Sequence, residues 1–327
     1  MKKISVIIAA YNAEKTIVNC ILSLKKQVYP QFEIIVVNDG STDNTKKILE
    51  KIKGIKIISQ KNKGPGAARN LGAKKARGDI LVFTDSDCEA RDKFWLRNIS
   101  SVFNKDNKIA AVASCYNGSV GKKFIEEYAF LELVYRLKNM PHEVSTAPSS
   151  NISCRKGIFI EIGGFPEQKK FIFAEDILFS YNMSRMGKII WKKELGIYHK
   201  FRTTLHEYLK QQEGFTKSTI GLFLNYPNLL FNVTHHSITV YVEIFLTFIL
   251  LLNLLASFFM SGFLILSFGL VFGIILLNVN FLIFLKKKRN YIFLIKSAFV
   301  IFARNIAYIS GMFKGLLKCM MFVGINN

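Results

Sequence analysis

The 327-residue chain is predicted to be an α/β protein followed by a membrane-embedded helical end. Three observations predict this class. Short β-branched runs alternate with segments of helical periodicity from Ile4 to Trp191, as in a mostly parallel sheet covered by helices. Two of these runs end abruptly in a carboxylate, at the edge where open α/β sheets collect ligands. Beyond residue 237 the composition turns almost wholly apolar.

The elements follow in order. Ile4 to Ala10 reads as a buried strand, Tyr11-Asn12-Ala13-Glu14 breaks it, and Ile17, Ile21, Leu24 and Val28 mark one face of a helix. No glycine lies between Ile4 and Thr16, so the Gly-rich pyrophosphate turn is missing, which argues against nicotinamide or flavin chemistry. Glu33 to Asp39 repeats the pattern of strand and acidic tip, and Ser41 to Asn44 offers caps for a helix carrying Ile48, Leu49 and Ile52. Ile55 to Ser59 is a third strand, and Gly64-Pro65-Gly66 opens a helix that ends near Arg77-Gly78. Arg69 in that helix is either solvated or, opposite a diphosphate, a source of bidentate contacts. Ile80-Leu81-Val82-Phe83 suits a strand buried on both faces, and it runs into Asp85-Ser86-Asp87. Two carboxylates at that spacing supply hard oxygen ligands to a divalent cation that also binds a diphosphate. Ala110 to Ser114 is a further strand, residues 121–139 a helix, and Lys188 to Trp191 the last strand.

Composition narrows the partners. Lys and Arg total 45 against 23 Asp and Glu, a formal charge of +22. From residue 238 onward Lys286, Lys287, Lys288, Arg289, Lys296, Arg304, Lys314 and Lys318 face Glu243 alone, and the larger part of the surplus lies upstream. The upstream lysines are dispersed, without the arginine and aromatic interleaving of a nucleic-acid surface, so nucleic acid is excluded in favour of an anionic membrane and phosphorylated substrates. Five cysteines without a close metal-binding pair fit a reduced, cytosolic setting. The apolar run at the N-terminus is too short for a signal peptide.

The run Val6 to Glu14, then Val36 to Asp43, then Gly64-Pro65-Gly66-Ala67-Ala68-Arg69-Asn70, then Asp85-Ser86-Asp87 resembles the family 2 glycosyltransferases. The resemblance implies a GT-A fold, a nucleotide-sugar donor, most often a UDP-sugar, and inversion at the anomeric carbon. By motif matching it implies that the loop Ala10, Tyr11 to Glu14 cups the base and that Asp39 holds the base edge. It further implies that Asp85 contacts ribose or metal and that Asp87 coordinates Mg²⁺ or Mn²⁺. Gly163-Gly164-Phe165 and Phe173-Ala174-Glu175-Asp176 also resemble the family, which implies an acceptor side there, with Asp176 as base and Glu175 as its partner. An inverting displacement needs one carboxylate on the acceptor side, and a neighbouring carboxylate raises its basicity; capping of the following helix is the plain alternative for Asp176. His199 matches the place of a metal-binding His loosely, against an ordinary hydrogen-bonded or surface His. Gln211-Gln212-Glu213-Gly214-Phe215 lacks the Arg-Trp of processive synthases, which points to transfer of a single sugar.

Ile238 to Met260 and Gly262 to Leu285 each exceed the roughly 20 apolar residues that cross a bilayer. They are expected to form a transmembrane hairpin turning at Ser261, with Asn278 and Asn280 bonding across it. The Lys286-Lys287-Lys288-Arg289 cluster marks the following end, and with it the catalytic part, as cytosolic. Tyr291 to Met320 is expected to be a basic amphipathic helix in the interface, with a third span as the alternative. The expected organisation is thus a GT-A domain at 1–200 (nucleotide-sugar half 1–115, acceptor half 116–200), a juxtamembrane linker at 201–237, the hairpin at 238–285 and the basic segment at 286–327. The expected protein is a multi-pass membrane glycosyltransferase with a lipid-linked or envelope-glycan acceptor. A polyprenyl-phosphate sugar synthase and a non-catalytic nucleotide-sugar scaffold are the alternatives. Sugar, acceptor linkage and oligomeric state have no readable motif.

Overall fold

The computed structural model describes residues 2–167, 174–231, 238–260 and 262–323. Phe173, Ser261 and the end of the expected linker at 232–237 lie outside the described residues. The chain divides into two compact units, the first built mainly from residues 2–120 and 139–200, the second from 121–138, 201–225 and 238–323.

In chain order the elements of the first half are β1 (Ile4–Ala10), α1 (Ile17–Lys25), β2 (Phe32–Asp39), α2 (Thr45–Glu50), β3 (Lys56–Gln60), α3 (Pro65–Lys75), β4 (Ile80–Asp85), β5 (Cys88–Glu89), α4 (Trp95–Lys105), β6 (Ile109–Ala113) and β7 (Tyr116–Ser119). Then come α5 (Phe124–Arg136), β8 (Glu143–Val144), β9 (Asn151–Arg155), α6 (Lys156–Glu161), α7 (Glu175–Met186), β10 (Lys188–Trp191) and β11 (Ile197–His199). The chain ends in α8 (Leu205–Asn225), α9 (Ile238–Ala256), α10 (Gly262–Leu277), α11 (Val279–Lys286) and α12 (Tyr291–Val323).

An eight-stranded sheet runs β3-β2-β1-β4-β9-β6-β10-β8, parallel from β3 to β4, with β9 antiparallel to both its neighbours. Val6 and Ile8 of β1 turn to a core with Ile17, Ile21, Trp95 and Phe103 of α1 and α4. Ile7 turns the other way, where α3 approaches so closely that a Cβ on Gly72 would sit 2.5 Å from its Cγ2. Both faces of the central strands are covered, which is why they read as unbroken apolar runs.

A second sheet of β5, β11 and β7 stands beyond β4. Its strands are too short and too polar to show periodicity, so Lys188–Trp191 is not the last strand. The first helix also ends earlier than its apolar pattern: Val28 lies outside α1, exposed, its N–H donating to Lys93 O at 2.8 Å.

Residues 121–138, expected in the acceptor half, belong to the second unit. Tyr128 and Leu131 of α5 are buried with Tyr208 of α8, Phe281 of α11 and Val300 of α12, so the apolar face of α5 has its partners there. In the same unit Arg304 of α12 is buried between Glu132 of α5 and Glu243 of α9, the latter at 2.7 Å, and Tyr208 donates to Glu132 at 2.7 Å. The segment expected to lie in the interface is therefore one long helix whose central cation is paired inside protein. By length and composition α9 and α12 can each cross a membrane, which favours the alternative of a further span. The expected second span is bent by 57° between α10 and α11. Asn278 stands at the break, its side chain donating to Ile274 O at 3.0 Å and so competing with the helical ladder. Asn253, unremarked in the sequence, bonds across the α9–α10 turn to Phe263 O at 3.1 Å.

Candidate active site

All the site residues inferred from the sequence fall in the first unit, along the carboxyl edge of β1, β2 and β4, in α3, at the start of α7 and on β11. The β1–α1 and β2–α2 loops are zipped together: Asn12 Oδ1 accepts from Thr42 N–H at 2.8 Å and Glu14 Oε2 from Asn44 N–H at 3.1 Å. Asn12 adopts φ 49° to do so, in the left-handed region that Asn tolerates. Glu14 is therefore an internal strut of this loop pair, and Ala10 is fully buried. Tyr11, half-exposed beside them, is the aromatic face that a base could stack on. Asp39 is buried at the tip of β2, where its carboxylate accepts from Lys63 N–H and Gly64 N–H at 2.9 Å and from Gln60 Nε2 at 2.7 Å. It fixes the entry to α3.

Arg69 is neither solvated nor turned to an open edge. Its guanidinium is 4% exposed and donates to Asp85 Oδ1 at 2.8 Å and to Glu175 Oε1 at 3.1 Å, over the ring of Phe165. Phe165 itself stacks on Phe179 and meets Phe83 edge-on, so the Gly-Gly-Phe segment anchors an aromatic core under the site. Gly163 and Gly164 have φ of 78° and 77°, a consecutive left-handed pair open only to glycine at low cost. The residue that docks this segment is Asn70, whose side chain accepts from Phe165 N–H at 2.8 Å and donates to Phe165 O at 2.9 Å. Its adjacency to Arg69 was visible in the sequence, but its partner 95 residues away was not.

Asp176 is half-buried in the first turn of α7, its Oδ1 accepting from Ile177 N–H at 2.9 Å; Ala174, not Asp176, occupies the capping position. Burial lifts both Glu175 and Asp176 above the ordinary carboxylate range, opposed by the Arg69 cation, and Asp176 repels Glu175 further. The two titrate as a pair.

Asp87 follows the tip of β4, and β11 brings His199 to it: Nε2 lies 3.4 Å from Asp87 Oδ2, and the ring stacks on Tyr116. The cause is register, since His199 pairs with Cys88 across antiparallel strands and shares its face. Donor atoms of Asp87, Cys88 and His199 lie within 4.8 Å of one another. Burial, with Asp87 and Asp85 adding to it, holds the Cys88 thiol well above its ordinary value, and soft sulfur is in any case a poor match for hard divalent cations. The carboxylate of Asp87 and the imidazole of His199 are groups that could hold Mn²⁺ or Mg²⁺, ions that keep open positions for water and phosphate. Asp85 stands outside this group, its carboxylate engaged by Arg69.

Residues 5–163 match the family described as Glycosyl transferase family 2. The chain is 46% identical over 90 residues to the Escherichia coli UDP-Glc:alpha-D-GlcNAc-diphosphoundecaprenol beta-1,3-glucosyltransferase WfaP, covering 27% of this chain and 36% of that protein. It is 42% identical over 94 residues to the Staphylococcus aureus poly(ribitol-phosphate) beta-N-acetylglucosaminyltransferase TarS, covering 27% of this chain and 16% of TarS. The matches span 13% to 37% of the curated relatives' lengths. Among solved structures, TarS 1–349 in complex with UDP aligns with TM-score 0.50 at 25% identity, covering 67% of this chain and 65% of that one. The Pyrobaculum calidifontis mannosyltransferase PcManGT, solved with GDP-Man and Mn²⁺, aligns with TM-score 0.58 at 15% identity over 96% of this chain and 87% of its own, a likeness of fold.

Proposed function

Because residues 5–163 belong to glycosyltransferase family 2, we propose that this chain transfers one sugar from a UDP-sugar to a hydroxyl of a lipid-linked or cell-envelope glycan, with inversion. The observation that carries the reading is the placement of two carboxylate groups around one buried arginine: Asp85 at the tip of β4 and Glu175 beside Asp176 at the start of α7. Tyr11 stacks on the base, and the Asp39 strand tip shapes the pocket for its edge. Asp176 is the base. The acceptor oxygen bonds to the anomeric carbon as the bond from that carbon to the diphosphate oxygen breaks, the acceptor proton passes to Asp176, and the nucleoside diphosphate leaves. Asp87 and His199 would hold Mn²⁺ or Mg²⁺, which when bound supplies positive charge beside the leaving diphosphate. The names of WfaP and TarS, which specify UDP-glucose with a diphosphoundecaprenol acceptor and an N-acetylglucosaminyl transfer, support the choice of donor and acceptor class. The apolar helices α9 and α12, with the bent pair α10–α11 as a returning span between them, support a multi-pass anchor, and the basic run at 286–289 then supports a cytosolic catalytic unit.

The test is a screen of nucleotide-sugars for nucleotide release with Mn²⁺ or Mg²⁺, run on the wild type and on Asp176→Asn. Release by the wild type, lost in Asp176→Asn with UDP binding retained, supports the reading. Wild-type turnover in the variant removes Asp176 from the base role.

A further inference from the structure

The sequence leaves Arg69 either solvated or opposite a donor diphosphate, but in the structure both terminal nitrogens of its guanidinium are committed elsewhere. One arm reaches Asp85 at 2.8 Å and the other Glu175 at 3.1 Å. The two carboxylates are 90 positions apart in the numbering and sit on different elements, Asp85 closing the strand that leads to Asp87, Glu175 opening the helix that carries Asp176. A planar, permanently charged fork is the side chain that can hold both ends at once; a lysine could hold one.

The bridge is not well explained as a source of stability. A buried ion triad contributes little beyond what packed apolar side chains of the same volume would. This one also leaves buried polar atoms, Arg69 Nε and Glu175 Oε2, without a hydrogen-bond partner among the described residues. What it does set is place. Phe165 lies under the guanidinium, with the ring centroid 5.3 Å away, and Asn70, the next residue along α3, clamps the backbone of Phe165 on both its polar groups. Arg69 and Asn70 together fasten the start of α7 and the Gly-Gly-Phe segment to the sheet edge.

We infer that Arg69 is the positioning residue of the reaction, tying the donor-side strand tip to the first turn of α7 and so fixing the Asp176 carboxylate toward the acceptor hydroxyl that attacks the anomeric carbon. This rests on Asp176 being the base. It differs from a donor-contact role because its loss acts on turnover through Glu175 and leaves nucleotide affinity alone.

The test uses the full chain in detergent with Mn²⁺, measuring UDP release from UDP-glucose and UDP-N-acetylglucosamine and, separately, UDP binding by calorimetry. The variants are Arg69→Gln, Arg69→Lys, Glu175→Gln, the double variant Arg69→Gln/Glu175→Gln, and Asp176→Asn. Expected are losses of turnover on the order of 100-fold in Arg69→Gln and Glu175→Gln, the scale of a base misplaced by about 1 Å. UDP affinity should be unchanged, and the double variant should fall no further than Arg69→Gln alone. Arg69→Lys should remain low, since it keeps the charge and loses the fork. Additive losses in the double variant, wild-type turnover in Arg69→Lys, or a fall in UDP affinity that tracks the fall in turnover would each overturn the bridge. Wild-type turnover in Asp176→Asn would overturn the base assignment and the inference with it. Should Arg69→Gln fail to fold, Arg69→Lys and Glu175→Gln retain the decisive comparison, because each keeps a polar group of similar size in place.

Discussion

Replacing Gly66 by alanine tests the packing that holds the site together. Gly66 lies in the first turn of α3, and a Cβ there would stand 2.7 Å from the carbonyl oxygen of Pro166, a backbone atom with no rotamer to escape into. Ordinary contact begins at 3.4 Å, so helix and segment must part by about 0.7 Å. Arg69 is three residues along the same helix, and Pro166 follows the Phe165 that Asn70 clamps and Arg69 covers. A shift of that size carries the 3.1 Å contact of Arg69 with Glu175 beyond hydrogen-bond reach. Two opposing terms set the stability: alanine improves helix propensity by up to about 1 kcal/mol, and overpacking costs about 1–3 kcal/mol. The expected result is a net loss of about 0–2 kcal/mol in thermal or denaturant unfolding, accompanied by a fall in UDP release on the order of 10- to 100-fold. Gly66→Ala that is more stable than the wild type and turns over at the full rate would refute the reasoning, since it would mean that α3 and the Gly-Gly-Phe segment are not in tight register.

Two further outcomes follow from the charges. Glu175 and Asp176 are raised by burial from ordinary values of 4.5 and 3.8 toward neutrality. The folded state therefore binds more protons than the unfolded one across that window, and the pair's contribution to stability is present at acid pH and lost as pH rises through the raised values. UDP release should rise over the same window as the base ionises; opposite slopes in unfolding and activity titrations check this, and Glu175→Gln should flatten the stability slope. In the second unit, Arg304→Met strands the buried Glu132 and Glu243 and should cost about 3–5 kcal/mol, read as a large drop in the unfolding temperature of the detergent-solubilised chain.

The central strands were legible because burial on both faces leaves an unbroken apolar run, as in Ile80-Leu81-Val82-Phe83, and the acidic tips followed from where those runs stop. The strands of the second sheet were not, since Cys88–Glu89 and Tyr116–Ser119 owe their conformation to pairing with β11 and carry no period of their own. That pairing is also what brings His199 beside Asp87, so this histidine could be matched only loosely in the sequence. Asp39, Glu14 and Arg69 were visible as charged residues near the edge. The engagement of Asp39 and Glu14 with loop N–H groups, and of Arg69 with Asp85 and Glu175, depends on contacts from distant positions, and no local pattern reports it. The placement of α5 with the C-terminal helices was hidden for a similar reason: its apolar stripe shows that it packs, and the identity of its partner lies in residues 70 or more positions away.

The insertion of β9 between β4 and β6 limits how this enzyme class can be recombined. A chimaera joined at residue 115, taking residues up to 115 from one parent and the rest from another, would ask β9 of the second parent to enter a slot cut by the first. Every ladder bond from Thr84↔Asn151 to Ile80↔Arg155, and those from Ala113↔Ile152 to Ala111↔Cys154, would have to form between strangers. The residues before and after position 115 are one woven fabric, not two cassettes, and loops at the sheet edge can be exchanged where a half cannot.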